Sequence, residues 1–414
     1  MVKVVNNKNQ LNKFKVDNLK PRSIQKPRSI KELSELIQDL NAKKLGLIPF
    51  GGKTRILIGN LPKKFHTAVD LNFLPKDIIY EPDDMTLITS SNVTISEIEN
   101  ELTKKHQRLP FKISNPSTAT IGGSVASDAE GTLLSCNGSI RDWIIGMKNI
   151  SGEGTITKSG GKVVKNVTGY DVHKLHVGAY GSLGIIIECG IKLQPLPENT
   201  EILAIEFEDF NTAYETALEL YYLQFVLETI NIHNKLSSNN NFYIYLQLSG
   251  SKTDVLRKID EIYKSIKHIH NIKTDLFSVN SNEVKNFNES KKIGDLKIKI
   301  STLPSRLRYI IDFIINLSRS KSIKMEFYSD FSFGNIYFDF FDCNLTDSKE
   351  ILNLIKSKLK FNIDSMTIQN CAHEIKKDID IFFLPSAKKP LMEKIKLQYD
   401  PNNIMNPGRF AGNI

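Results

Sequence analysis

Three stretches of this 414-residue sequence keep the backbone clear enough for a ligand to approach it. In PFGGKTR, Gly51 and Gly52 follow an apolar run that starts the loop at Pro49. A glycine pair there allows positive φ and close backbone approach. Amides turned inward in such a loop form a concave anion site, and Thr54 adds a hydroxyl donor; a plain tight turn is the alternative. In TATIGGSVAS, the residues Thr120, Gly122, Gly123, Ser124 and Ala126 form a patch without a large side chain, flanked by hydroxyls. A flat, extended ligand with a diphosphate needs such a surface, and so does a close helix–strand crossing. In GAYGSLGIII, Gly178, Gly181 and Gly184 stand three apart. That spacing resembles the dinucleotide fingerprint, but the segment precedes an apolar strand instead of following one and opening a helix. A nicotinamide site of the Rossmann type is therefore not expected.

The other candidate groups have bland readings beside their sharp ones. Lys165, Asn166, Tyr170 and Asp171 in KNVTGYD read as an Asx turn with a buried tyrosine, or as a substrate contact. Arg141 and Asp142 read as a local ion pair or as an orienting pair near a cofactor. His173 with His176, and His268 with His270, have no neighbouring carboxylate that completes a metal set, so no metal site is expected. Arg306 and Arg308 have the chemistry to hold a carboxylate, but two arginines at a helix start are usually exposed charge. The four cysteines, Cys136, Cys189, Cys343 and Cys371, contain no CxxC pair. This spacing argues against a disulfide framework, a zinc site or an iron–sulfur cluster within the chain, and fits a reducing compartment.

The elements that must carry these loops can be read from periodicity. SIKELSELIQDLNA opens with Ser29 and has Glu32 three residues on, a capping-box signature. KLGLIPF is a short buried strand leading into the GGKTR loop. TLITSSNVTISEIENELTKKH gives a strand, a turn and a helix beginning near Ser96. GTITKSGGKVVKNVTGYD suggests a hairpin turning at Gly160–Gly161, and GIIIECGIKLQPL a last buried strand. Pro195 and Pro197 mark a domain boundary. Beyond them, long amphipathic helices alternate with strands, which predicts an antiparallel sheet covered by helices on one face. The fold class expected is α+β, with domains at 14–197 and 198–390 and a C-terminal segment, 391–414, that rejoins the first.

Length favours two domains. The net charge of +9 comes from lysines dispersed along the whole chain, with no run that pairs basic residues with stacking aromatics, so a nucleic-acid partner is not expected. The N-terminal residues lack an apolar core of signal-peptide length. YIIDFIINL is interrupted by Asp312 and Asn316 and is too short to span a bilayer. A cytoplasmic protein is expected, peripheral on the inner face of a membrane only through partners.

Taken in order, PFGGKTR, PDDMTLITSSNVTISEIE, TATIGGSVAS, GSIRDWIIGMK, KNVTGYDVHKL, GAYGSLGIII and the terminal YDPNNIMNPGRF resemble the FAD-binding oxidoreductases of the PCMH, or vanillyl-alcohol oxidase, type. Within that superfamily the chain is most similar to the family of smaller FAD-binding subunits of glycolate oxidase. The resemblance implies a two-part FAD-binding domain of PCMH type plus an α+β cap domain with an antiparallel sheet. It implies cofactor contacts at Pro49, Gly51, Gly52, Lys53 and Thr54, at Pro116, Thr120, Gly122, Gly123, Ser124 and Ala126, at Gly178, Gly181, Ser182, Gly184 and Ile186, and at Asn406 and Arg409 of the closing NPGR turn. Lys53 departs from the family's glycine, and it fits the loop only with negative φ or as a charge for the diphosphate. Some relatives attach FAD through a histidine of the first loop; this loop has none, so FAD is expected to be non-covalent. The larger, catalytic relatives carry an HxGDGNxH segment that this chain lacks, and its catalytic residues are not assigned. Partners expected are a second flavoprotein subunit, an iron–sulfur subunit and a small 2-hydroxy acid substrate. Alternatives are a self-sufficient FAD-dependent hydroxy-acid or alcohol dehydrogenase and a non-catalytic assembly subunit.

Overall fold

The computed structural model describes residues 8–161, 169–223, 227–234, 241–270, 277–278 and 294–414. The chain divides into two compact units. The first comprises Met1–Gly131, Ser139–Leu196 and Lys376–Ile414; the second comprises Thr132–Gly138 and Pro197–Ile375. The chain thus leaves the first unit between the two boundary prolines, but rejoins it at Lys376, earlier than the expected 391. The Thr132–Gly138 excursion has no proline or glycine cluster to announce it.

Among the described residues, the first unit holds two main sheets and a two-residue ladder between Gln107–Arg108 and Gln194–Pro195. β1 (Ser23–Gln25), β2 (Leu47–Phe50) and β3 (Thr67–Asp70) form a parallel three-stranded sheet with β3 in the centre. Helix α1 (Ile30–Ala42) buries Leu33, Leu36, Ile37 and Leu40 against Leu47 and Val69. Ser29 caps it by accepting from the Glu32 amide. The second sheet is antiparallel: β4 (Ile78–Glu81), β5 (Thr86–Ser90), β6 (Ile144–Ile150), β7 (Ile156–Gly160) and β8 (Ile185–Lys192) run in the order β4-β5-β8-β6-β7. Helix α2 (Ile95–Thr103) starts one residue before the expected Ser96, because Thr94 and Glu97 form a reciprocal capping box. Its buried Ile95, Ile98 and Leu102 pack with Leu87, Ile121, Val125 and Ile191. The short helix α3 (Ile121–Ala126) is capped by Thr120.

One hairpin joins β6 and β7 across residues 151–155. The second arm of the hairpin expected to turn at Gly160–Gly161 falls at 162–168, outside the described residues. Two expectations need correction here. Tyr170 is 93% exposed and not buried. Asp171 pairs loosely with Lys174 at 3.7 Å, while Lys165 and Asn166 lie outside the described residues. The Asp142 carboxylate accepts from the Ser139 amide and hydroxyl, so Asp142 serves a helix start.

The last helix, α4 (Lys389–Tyr399), hands the chain to residues 404–406, which lie parallel to the start of β2. The Leu47 amide donates to the Ile404 carbonyl and the Asn406 amide to the Leu47 carbonyl, each at 2.8 Å.

The second unit is an eight-stranded, wholly antiparallel sheet in the strand order Phe277–Ser278, Asn199–Phe207, Phe242–Gly250, Thr229–Asn234, Lys324–Asp330, Asn335–Phe341, Leu296–Ser301, Ser365–Asn370. Its register sorts the side chains by face. Ile232, Ile244, Phe327 and Phe338 share one face, and the helix Phe210–Tyr221 packs Phe210 against Phe242 and Phe327 there. The opposite face carries His233, Tyr243, Tyr245, Tyr328, Tyr337 and Lys299. Both faces are buried at the centre of the sheet, where His233, Tyr243 and Tyr245 are 4, 9 and 5% exposed.

Candidate cofactor site

A half-open cleft of about 130 Å³ lies in the first unit. Three backbone segments and the C-terminal turn build its walls: Pro49–Ile58, Thr120–Ser127, Tyr180–Ile186, and Asn406 with Arg409.

The loop after β2 supplies donors. Among the described residues, the amides of Gly51, Gly52, Lys53 and Thr54 donate to no backbone carbonyl. Lys53 has φ +63, so its departure from glycine is accommodated in the left-handed region, contrary to the negative φ expected. Its ammonium sits 3.6 Å from the centre of the Phe14 ring and donates to the Lys13 carbonyl at 3.1 Å. The cation–π contact and the carbonyl hold the side chain that imposes this strained backbone. Burial lowers the Lys53 pKa, partly offset by Asp70.

The second wall supplies space instead of donors. The amides of Ile121 and Gly122 are spent on the Val93 and Ser91 carbonyls, and that of Gly123 on the Thr120 hydroxyl. A Cβ on Gly122 would meet Ser91 Cβ at 2.5 Å, so this glycine is set by the crossing against Ser91. A Cβ on the exposed Gly123 would meet only Thr120 Oγ1, at 3.1 Å, and otherwise open cleft. The close-crossing reading thus holds for Gly122, while Gly123 leaves its side of the cleft open.

The third wall is turned by Tyr180 at φ +53 and Gly181 at φ +69. Tyr180 donates its amide to the Ala126 carbonyl and packs its ring against Phe382 and Phe410. Burial pushes its hydroxyl up to about 12. The Asn406 side-chain amide donates to the Tyr180 carbonyl, while Asn406 Oδ1 has no partner.

Arg409 dominates the electrostatics. It is 2% exposed; Nη2 donates to the Ile56 and Ile58 carbonyls at 2.6 and 2.7 Å. Nε and Nη1 have no partner. Burial lowers its pKa to about 10. Lys53, Arg55 and Arg409 all line the cleft, and no Asp or Glu does. A buried guanidinium with two unused donors is costly unless an acceptor arrives. The residues therefore fit a ligand with a diphosphate and a hydrogen-bonding ring, namely FAD: open amides for the anion, a bare wall at Gly123 for a flat body, and buried donors at Arg409.

Fourteen expected positions line the cleft: Pro49, Gly51, Gly52, Lys53, Thr54, Thr120, Gly122, Gly123, Ala126, Gly181, Gly184, Ile186, Asn406 and Arg409. Pro116, Ser124, Gly178 and Ser182 do not. The Ser124 and Ser182 hydroxyls point back to the Thr120 and Ala179 carbonyls, a local bond that small hydroxyl residues readily make. The sequence reading missed Phe50, Arg55, Ser91, Asn92, Ser127 and Tyr180. The Tyr180 position lies inside the GAYG motif, so that signal was present.

The remaining candidates are satisfied elsewhere. His173 contacts Ser159 and the Ile144 carbonyl, and His176 contacts Asn149. The side chains of His268 and His270 lie outside the described residues. Arg306 pairs with Asp364, and Arg308 bonds Asn211 and Glu215. Among the described residues no cluster of His, Cys, Asp and Glu could hold a metal ion, and no helix is long and apolar enough to cross a membrane.

Comparison with known proteins agrees with the geometry. Residues 21–160 match the family model of the FAD binding domain. D-2-hydroxyglutarate dehydrogenase of Stutzerimonas stutzeri (strain A1501) is 21% identical, over 94% of this chain and 91% of that protein. Glycolate oxidase subunit GlcD of Bacillus subtilis is 25% identical, over 51% of this chain and only 45% of the relative. The solved structure of 4-ethylphenol oxidase from Gulosibacter chungangensis superposes with a TM-score of 0.73 at 14% identity, over 98% of this chain and 93% of that one. On the FAD binding domain matched over residues 21–160 and on the α+β architecture, the chain is similar to the FAD-binding oxidoreductases of the PCMH type.

Proposed function

We propose that this chain is the FAD-binding subunit of an oxidoreductase complex that converts a 2-hydroxy acid to the 2-oxo acid and passes electrons to an iron–sulfur partner. The observation that carries the cofactor half is the cleft itself, whose lining includes Lys53, Arg55 and the buried Arg409 and no carboxylate. Bound there, FAD would supply a redox group that takes up electrons from the partner flavoprotein and hands them to the iron–sulfur partner. The chain's residues hold and shield it: the Gly51–Thr54 amides take the diphosphate, and Arg409 and Asn406 take the remaining acceptors and donors. No histidine or cysteine lines the cleft, which supports a non-covalent cofactor.

The dependent role rests on the second unit. Binding a 2-hydroxy acid needs a cation for its carboxylate and a base for its hydroxyl proton. Arg306 and Arg308 are engaged by Asp364, Glu215 and Asn211, and Lys297 is paired with Asp339 at 2.8 Å. His233 is stacked between Tyr243 and Tyr245, its ring centre 5.5 and 4.6 Å from theirs. These commitments favour substrate chemistry on a partner flavoprotein. The relative matched over nearly its whole length is D-2-hydroxyglutarate dehydrogenase, and that favours the second reading, a self-sufficient dehydrogenase. Anaerobic addition of glycolate, D-lactate and D-2-hydroxyglutarate to the isolated holoprotein separates the two. The flavin stays oxidised on the first reading and bleaches only when co-purified partners are present; bleaching of the chain alone establishes the second. With an iron–sulfur partner, such a complex would deliver electrons at the inner face of a membrane, which no helix among the described residues is long and apolar enough to cross.

A further inference from the structure

We propose that Lys396 is a positioning residue for the cofactor, tying the glycine-rich wall of the cleft to its C-terminal turn from behind. This rests on the FAD reading of the cleft and adds a residue that does not line it. Lys396 lies in α4 and is 4% exposed. Its three ammonium protons are all used, on Asp400 Oδ2 at 2.6 Å, the Ser182 carbonyl at 2.7 Å and the Met405 carbonyl at 2.8 Å.

Each partner stands directly beside cleft-forming residues. Ser182 follows Gly181 and lies two residues before Gly184, whose φ is +152. Met405 precedes Asn406, which bonds both the Leu47 carbonyl at the start of β2 and the Tyr180 carbonyl. Asp400 is fully buried and completes the clamp, accepting the Ile404 and Met405 amides at 3.0 and 2.7 Å. One buried ion pair thus fixes the spacing of the third wall, the closing turn and the strand that carries the phosphate loop. Buried ion pairs give little net stability relative to apolar packing of the same size, because desolvation offsets the attraction. A pair whose third and fourth partners are loop carbonyls has geometry as its main product.

The test compares the parent with Lys396→Met/Asp400→Leu, which removes the pair without leaving a lone buried charge. Three quantities are read: the melting midpoint of the apoprotein, the FAD dissociation constant from flavin fluorescence, and the visible circular dichroism of the flavin at saturation. The expected result, read below the midpoints of both apoproteins, is FAD binding at least roughly tenfold weaker and an altered flavin dichroism at saturation. The apoprotein midpoint itself falls, because the Ile404 and Met405 amides lose their Asp400 acceptor. Parent-like affinity and dichroism would overturn the proposal and leave the pair a packing feature. If the double variant does not fold, Lys396→Arg carries the test. It keeps a cation beside Asp400, but its planar fork cannot reach the three acceptors from one point. Weaker FAD binding and changed dichroism support the tether, and parent-like values refute it. A parent protein that binds no FAD would instead refute the reading of the cleft.

Discussion

The adjacent glycines of TATIGG should fail in opposite ways. In Gly123→Val the new Cβ meets only Thr120 Oγ1 at 3.1 Å, so the folded apoprotein needs a shift of a few tenths of an ångström at most. Valine and glycine differ by less than about 0.5 kcal/mol in helix propensity, which leaves apoprotein stability nearly unchanged. The isopropyl group, however, occupies cleft that the cofactor needs. Overpacking costs of about 1–3 kcal/mol correspond to FAD binding weakened roughly 5- to 150-fold. In Gly122→Val the Cβ overlaps Ser91 Cβ at 2.5 Å and the Ser91 carbonyl at 2.9 Å, and backbone cannot give way. Here the same cost falls on folding, lowering the midpoint on the order of 5 °C. Thermal melts of the apoproteins and FAD titrations followed by flavin fluorescence give both numbers for each variant. Retention of stoichiometric FAD at parent affinity by Gly123→Val would refute the placement of the cofactor against this wall. Parallel loss of both properties in both variants would refute the division of roles.

Two further outcomes follow from charge and burial. Arg409→Met removes two unused buried donors and should weaken FAD roughly 10- to 150-fold, the worth of a hydrogen bond to a charged group; an unchanged dissociation constant at fixed ionic strength would contradict it. His176 is held neutral by burial, its pKa lowered to about 4. Because the unfolded chain takes up its proton near pH 6.5 and the folded one does not until about 4, stability should fall as pH drops through that window, by up to about 3 kcal/mol. His176→Gln should flatten the melting-midpoint profile there, and an unchanged slope would show that other groups carry it.

Much of the first unit was legible because its signals are local. The Ser29 cap and the apolar spacing of α2 act within a few residues; the Thr94–Glu97 box is equally local but was overlooked, and it moves the start of α2 one residue back from the expected Ser96. The glycine-rich walls were legible for the same reason: a backbone that must stay bare excludes side chains visibly. What stayed hidden is non-local. Ser91 and Asn92 follow β5 and are brought to the cleft by its pairing with β8, whereas Phe50 and Arg55 lie inside PFGGKTR, so their signal was local too. Ser124 and Ser182 were misread because a hydroxyl in a small-residue stretch can serve the backbone or a ligand, and only the fold decides. The positive φ of Lys53 depends on Phe14, far away in sequence, and the clamp of Lys396 on Ser182 joins residues from opposite ends of the unit. The return to the first unit at Lys376 is sealed by its ion pair with Asp17 at 2.8 Å, which no periodicity announces.

The central claim is that this chain carries FAD non-covalently in the cleft of its first unit. Its most direct test is the absorption spectrum of the purified protein, followed by acid precipitation and assay of flavin in pellet and supernatant. The account predicts a yellow protein that releases one FAD per chain into the supernatant. A colourless protein that takes up no added FAD, or flavin that stays with the pellet, would contradict it.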